Sequence, residues 1–296
     1  MSNDTRHFIN LPDIDPATLK AILKHAHALK AEKFNPPQIM DGHSLAMLFD
    51  KRSTRTRISF EVAMKQLGGH TVVLNMEDMQ IGGAETIEDT GQVLSRFVDG
   101  IMIRMSNHAT MEELAKHTTI PVINGMTNES HPCQIMADML TIEEKLGTVQ
   151  GKKIAWFGDY NNVCKTFEQA APIWGFKLAI SCPEDLYACA TPPQDAAKDA
   201  DVIVTDTWVS MGEEGKQIEK FMPWQVNADL MAKAKPSAIF MHCMPIHQNE
   251  EVTPEVLATP ASVIYDEAEN RLHAQKAILA WCLEDTGVRL QRPLGF

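Results

Sequence analysis

Nine short apolar runs separated by amphipathic helical stretches set the pattern of this chain. They are Leu45–Phe49, Thr71–Leu74, Gly100–Ile103, Pro121–Ile123, Ile154–Phe157, Leu178–Ile180, Val202–Thr205, Ala238–Met241 and Ser262–Tyr265. Continuous apolar runs of this length suit strands buried on both faces, and the helical stretches between them supply the crossovers that parallel strands need. The pattern predicts an α/β fold of mostly parallel sheets flanked by helices. Asp15-Pro16 opens the first helix with a capping acid and a proline at the first position. Leu19, Ile22, Leu23, Ala26 and Leu29 follow it at helical spacing.

The 296 residues suffice for two domains of ordinary size. A boundary is expected at Gly147–Gly151, giving domains 1–147 and 148–267, with four runs before it and five after. Ala268 to Leu283 reads as one long closing helix. Hydrophobic content of 44% with 22% charged residues describes a soluble globular protein, and a net charge of −12 argues against nucleic acid or an anionic membrane as partner. No run approaches the length of a membrane span. The six cysteines form no CxxC pair, and the first residues carry no secretory or transit signal. Free thiols in a reducing cytoplasm are the expectation.

Ser53-Thr54-Arg55-Thr56-Arg57 stands where the first run gives way to a helical pattern. A strand opening into a helix exposes backbone N–H groups and the positive end of the helix dipole. Hydroxyls add donors, and arginine supplies the planar fork that grips phosphate. The alternative is a capped helix with a solvated basic first turn. Cations sit badly at that end unless an anion joins them.

This run resembles the carbamoyl phosphate site of the aspartate and ornithine carbamoyltransferases. His131-Pro132-Cys133-Gln134, Asp206-Thr207-Trp208-Val209-Ser210-Met211-Gly212 and His242-Cys243-Met244-Pro245 resemble the ornithine enzymes of that family in particular. The motifs keep their order from about His7 to about Leu283, nearly the whole chain. The resemblance implies two α/β domains, the first binding carbamoyl phosphate and the second L-ornithine, with the segment 268–296 packing back on the first. It implies Ser53, Thr54, Arg55, Thr56, Gln80, Arg104, His131, Pro132, Cys133, Gln134, Cys243, Met244 and Arg271 at carbamoyl phosphate. Arg104, His131, Cys243 and Arg271 are its catalytic set. Thr56, Arg104 and His131 are expected to hold the carbonyl oxygen, with Gln134 orienting the carbamoyl NH2.

Asn162 offers a donor and an acceptor to an amino-acid head group, and Asp206 at a strand end offers fixed negative charge to its ammonium. Ser210 and the Met211 backbone are expected to close over the same group. Gly158-Asp159-Tyr160-Asn161-Asn162 lacks GxGxxG spacing, which argues against a dinucleotide. A metal set drawn from His131, Cys133, His242, Cys243 and His247 matches no standard zinc spacing. No metal or organic cofactor is expected. Each motif follows an apolar run, and ligands of open α/β sheets collect at the carboxyl ends of strands, so the cleft between the two sheets is the expected active site. The resemblance further implies a homotrimer with the Gln80 loop serving a neighbouring subunit. Gly83-Ala84 and Gln248 stand where many relatives carry a basic residue, and the segment between Cys182 and Asp201 is short for the family.

Overall fold

The computed structural model describes residues 5–51, 53–79, 85–209 and 218–284. Its strands are β1 (Ser44–Phe49), β2 (His70–Asn75), β3 (Gly100–Arg104), β4 (Val122–Met126), β5 (Lys153–Phe157), β6 (Lys177–Ser181), β7 (Val202–Thr205) and β8 (Ile239–His242). Its helices are α1 (Pro16–Ala31), α2 (Arg55–Gln66), α3 (Ile87–Phe97), α4 (His108–Lys116), α5 (Pro132–Leu146), α6 (Asn162–Trp174), α7 (Pro193–Ala197), α8 (Ala228–Met231), α9 (Pro254–Leu257) and α10 (Ile264–Leu283). The chain divides into two compact units, residues 1–133 with 271–296, and residues 134–270.

The first unit is built on a four-stranded parallel sheet of order β2-β1-β3-β4. Ala46, Leu48, Ile101, Ile103 and Val122 pack with Met111 and Leu114 into one core cluster. Register places Phe49 beside Arg104 and Arg104 beside Met126. Three strands therefore end in one row, and the segments leaving them start from the same edge. From Arg271 to its end at Leu283, α10 belongs to this unit, as expected of the closing helix. Lys276 Nζ donates to the Leu29 carbonyl at 3.4 Å, and Trp281 meets Phe8 edge-on with ring centroids 6.3 Å apart.

The second unit has a four-stranded parallel sheet of order β6-β5-β7-β8. Phe157 pairs with Thr205 and Thr205 with His242, so these strands also end level. Ala155, Phe157, Ile203 and Phe240 form its core with Val226, Leu230 and Val252. The expected ninth strand is corrected here. Of Ser262–Tyr265 only Ser262 makes a bridge, to Phe240, and α10 has begun by Ile264. Asp266 and Glu267 fall in the first turn of that helix, where the dipole favours acids. Arg271 consequently lies two turns inside α10 rather than at its start.

Candidate active site

Among the described residues, helices α1, α3, α4, α6 and α8 are capped by an Asp, Thr or Asn side chain. The α2 helix is not, although Ser53 and Thr54 precede it. Thr54 at its N-cap is itself helical (φ −85°, ψ −56°) and makes no capping bond. The first turn of α2 thus carries backbone donors with no side-chain cap, the condition under which a helix end takes an anion.

Thr56, one residue inside α2, is buried, and two guanidiniums converge on it. Its Oγ1 accepts from Arg104 Nη1 at 3.0 Å and from Arg271 Nη2 at 3.3 Å. A hydroxyl that accepts twice has its own hydrogen left as a donor. Two like charges this close favour an anion between them. Arg57 does not join this group: its Nε donates to Glu61 at 2.9 Å on the exposed side of the helix. The cations gathered around Thr56 come instead from β3 and α10.

His131 is reached through a braced turn. Thr127 N donates to Ser130 O at 3.0 Å, Asn124 Nδ2 donates to Ser130 Oγ at 2.9 Å, and that hydroxyl donates to Asn10 Oδ1 at 3.1 Å. Burial, with the Arg271 and Arg104 charges added, holds the imidazole well below its ordinary pKa. An uncharged ring with one N–H suits a carbonyl oxygen that gains negative charge. Cys133 turns inward and donates to the Asn124 carbonyl, and burial pushes its thiol up to about 12. Anything Cys133 gives a ligand is therefore backbone.

Because folded His131 resists protonation while an unfolded histidine protonates near pH 6.5, the unfolded state binds the extra proton below that pH. This contribution to stability is complete above pH 6.5 and is lost as pH falls. Urea midpoints should drop between pH 7.5 and 5.5, and His131→Asn should show a smaller drop. An equal drop in the variant would contradict the assignment of the buried ring.

In the second unit Asp206 follows β7 and is nearly buried. Its Oδ1 accepts from Thr207 N at 2.8 Å, Thr207 Oγ1 at 3.1 Å and Cys243 Sγ at 2.9 Å, and its Oδ2 from Asn161 Nδ2 at 2.7 Å. Asn161 also caps α6 through Val163 N and Cys164 N. Sequence reasoning named Asn162, the first residue of α6, and missed the neighbour that orients Asp206. Gly158 must be glycine: its φ is +110°, and an added Cβ would run into the Trp208 ring.

The turn after β8 is fixed by two carboxylates. His242 Nδ1 accepts from Met244 N at 2.8 Å, which places the ring hydrogen on Nε2, 3.1 Å from Glu251 Oε1. Glu251 Oε1 also accepts from His247 N at 2.6 Å, and His242 N donates to Glu267 Oε2 at 2.7 Å. Met244 adopts φ +61° between Cys243 and Pro245. Burial first, then the Asp206 charge, pushes the Cys243 thiol well above its usual pKa. It remains a thiol donating to Asp206, not a thiolate nucleophile.

Two groups of three donors lie within 4.8 Å of one another among the described residues: Asp206, His242 and Cys243, and His247, Glu250 and Glu251. Hydrogen bonds within the protein already account for the first group, and Glu251 Oε1 in the second is committed to His242 and His247. Gln80, Ser210 and Met211 lie outside the described residues, as do Gly83-Ala84. Asp138, Glu251 and Glu267 went unread in the sequence. Asp138 stands four residues after Gln134, a helical spacing that signals contact.

A family model described as "Aspartate/ornithine carbamoyltransferase, carbamoyl-P binding domain" matches residues 6–144, and its partner, the "Asp/Orn binding domain", matches residues 150–282. The chain belongs to the aspartate/ornithine carbamoyltransferase family. An ornithine carbamoyltransferase of Brucella abortus is 51% identical over 97% of this chain and 99% of its own length. One from Bradyrhizobium diazoefficiens is 48% identical over 96% and 99%. The solved ornithine carbamoyltransferase of Pyrococcus furiosus superposes with a TM-score of 0.89 at 44% identity, covering 96% of this chain and 98% of its own. In this carbamoyltransferase fold the carboxyl ends of both sheets carry the buried polar groups described above. No helix among the described residues is long and apolar enough to cross a membrane.

Proposed function

We propose that this chain transfers the carbamoyl group of carbamoyl phosphate to the δ-amine of L-ornithine, giving L-citrulline and phosphate. What supports the reading most is that relatives of that name match both halves of the chain at about half identity over nearly full length. The first unit supplies the grip on carbamoyl phosphate. Ser53, Thr54, Arg55 and the open first turn of α2 take the phosphoryl oxygens, while Thr56, Arg104, His131 and Arg271 face the carbonyl oxygen. The segment 268–296 works with residues 1–147 in this role, and residues 148–267 hold ornithine. There Asp206 and Asn162 take the α-ammonium and α-carboxylate, and Ser210 and Met211 complete the site.

Carbamoyl phosphate is an activated acyl donor, so the transfer asks for charge stabilisation and alignment and needs no metal or organic cofactor. The neutral δ-amine attacks the carbonyl carbon, and negative charge collects on the oxygen held by Arg104, His131 and the Thr56 hydroxyl. The C–O bond to phosphate then breaks, and the departing phosphate takes the amine proton. Free ornithine's δ-ammonium has a pKa near that of lysine, roughly 10, so the reactive fraction rises with pH through the neutral range. Cys243, held as a thiol, and the Cys243 and Met244 carbonyls position the reacting groups and take no proton.

The homotrimer and the cytoplasmic location belong to this proposal, and a sedimentation mass three times that of the chain would support the former. Incubating carbamoyl phosphate labelled with ¹³C at the carbonyl with ornithine tests the function. The label should appear in the ureido carbon on Nδ, with one phosphate released per transfer. Label recovered only as bicarbonate, or on the α-nitrogen, would refute it.

A further inference from the structure

Within the second unit, a tight turn ahead of α9 gathers three side chains able to ligate a metal. Asn249 sits at φ +70°, which asparagine tolerates, and across it Glu250 N donates to the His247 carbonyl at 3.1 Å. Gln225 Nε2 braces the turn, donating to the Asn249 and Glu250 carbonyls at 2.9 Å each. His247 Nδ1 then lies 3.7 Å from Glu250 Oε2 and 3.9 Å from Glu251 Oε2. Ligand atoms of all three residues fall within 4.8 Å of one another.

Glu251 is the member that points to a ligand. Its side chain is fully buried, and its two oxygens fare differently. Oε1 accepts from His242 Nε2 at 3.1 Å and from His247 N at 2.6 Å. Oε2, equally buried, has no hydrogen-bond partner among the described residues. A carboxyl oxygen taken out of water without a partner is costly unless a cation faces it. His247 Nδ1, at 3.9 Å, is beyond hydrogen-bond reach. We infer that His247, Glu250 and Glu251 form a binding site for a divalent transition-metal ion of zinc's size, held by the imidazole Nδ1 and one oxygen of each carboxylate.

Spacing and chemistry both fit such an ion. Bonds of about 2.0–2.2 Å to a tetrahedral centre set donors about 3.3–3.6 Å apart. The two separations above exceed that by a few tenths of an ångström, and the part-exposed side chains of His247 and Glu250 can close the difference. An imidazole with two carboxylates suits zinc or cobalt, whereas magnesium and calcium take oxygen alone. The bonds that Glu251 Oε1 accepts are the outer contacts that orient a ligating carboxylate. Exposure of His247 and Glu250 gives the ion entry and leaves a fourth position to water. None of the donors is a thiol, and the site shares only His247 with the set weighed from sequence spacing. It does not rest on the proposed transfer, which assigns none of the three to a substrate.

Zinc titrated calorimetrically into the full chain, first stripped of metal by a chelator, should bind at this site. His247→Gln and Glu250→Gln alter part-exposed donors and spare the contact between Glu251 and His242. Each should weaken zinc binding by more than about tenfold, at least the cost of losing an outer-shell partner. Either variant decides alone if the other does not fold. Saturating zinc should raise the thermal midpoint of the wild type and leave that of the variants unchanged. Cobalt(II) as a stand-in should give visible absorption without a thiolate-to-metal charge-transfer band. Zinc binding unchanged in the variants would overturn the inference, as would a thiolate band, which would put the ion on a cysteine instead. So would a wild type that binds no zinc, which would leave His247 alone as the counterpart of Glu251.

Discussion

Replacing Arg104 by alanine should lower kcat/KM for carbamoyl phosphate by about a hundred- to a thousand-fold, the usual cost of one donor aimed at a developing oxyanion. The expectation follows from where the side chain ends. Arg104 closes β3, and its Nη1 lies 3.0 Å from the buried hydroxyl on which Arg271 also converges. The loss should fall on kcat as well as KM, because the carbonyl oxygen carries more charge in the transition state than in the bound substrate. Arg104→Lys should recover only part of it: an ammonium on a flexible stem cannot hold Thr56 and a ligand oxygen with one rigid fork. Full activity in the alanine variant, measured by steady-state kinetics at saturating ornithine, would contradict the proposed oxyanion site.

Asp206→Asn should raise the KM for ornithine by about two to three orders of magnitude, since truncating one partner of a desolvated charge pair costs about 2–5 kcal/mol. The substitution is nearly isosteric, so packing survives while the charge is lost. It also confronts Asn161 Nδ2 and the Cys243 thiol with an amide where a carboxylate accepted from both. Affinity for carbamoyl phosphate should change far less, because its proposed grip lies in the other unit. An ornithine KM within twofold of wild type would show that Asp206 does not receive the α-ammonium.

The elements of this fold are legible in the sequence because its apolar runs are short and its helices are amphipathic. Eight of the nine runs become strands. The exception, Ser262–Tyr265, has a strand's composition, but acids at 266 and 267 start a helix after one bridge. Motif residues at strand ends are legible for the same reason, since register brings Phe49, Arg104 and Met126 to one edge. Partners across the chain are not. The bond between Gln134 and Glu267 joins residues 133 positions apart, and nothing in either local pattern announces the other. Arg57 looked like a third phosphate cation because spacing alone does not reveal that it reaches Glu61. Asn161 and Asn162 are adjacent and chemically alike, and only the turn into α6 decides which one orients Asp206.

The central claim is that this chain carbamoylates the side-chain amine of an α-amino acid and reads its head group. Initial rates with carbamoyl phosphate and either ornithine or putrescine, at matched pH and concentration, test it most directly. The two amines present the same nucleophile, and only ornithine also carries the α-carboxylate, on the carbon proposed to face Asp206 and Asn162. The account predicts citrulline formation from ornithine at a rate at least about a hundredfold above carbamoylation of putrescine, the size of a lost charge-assisted contact. Comparable rates on the two amines, or no citrulline at all, would contradict it.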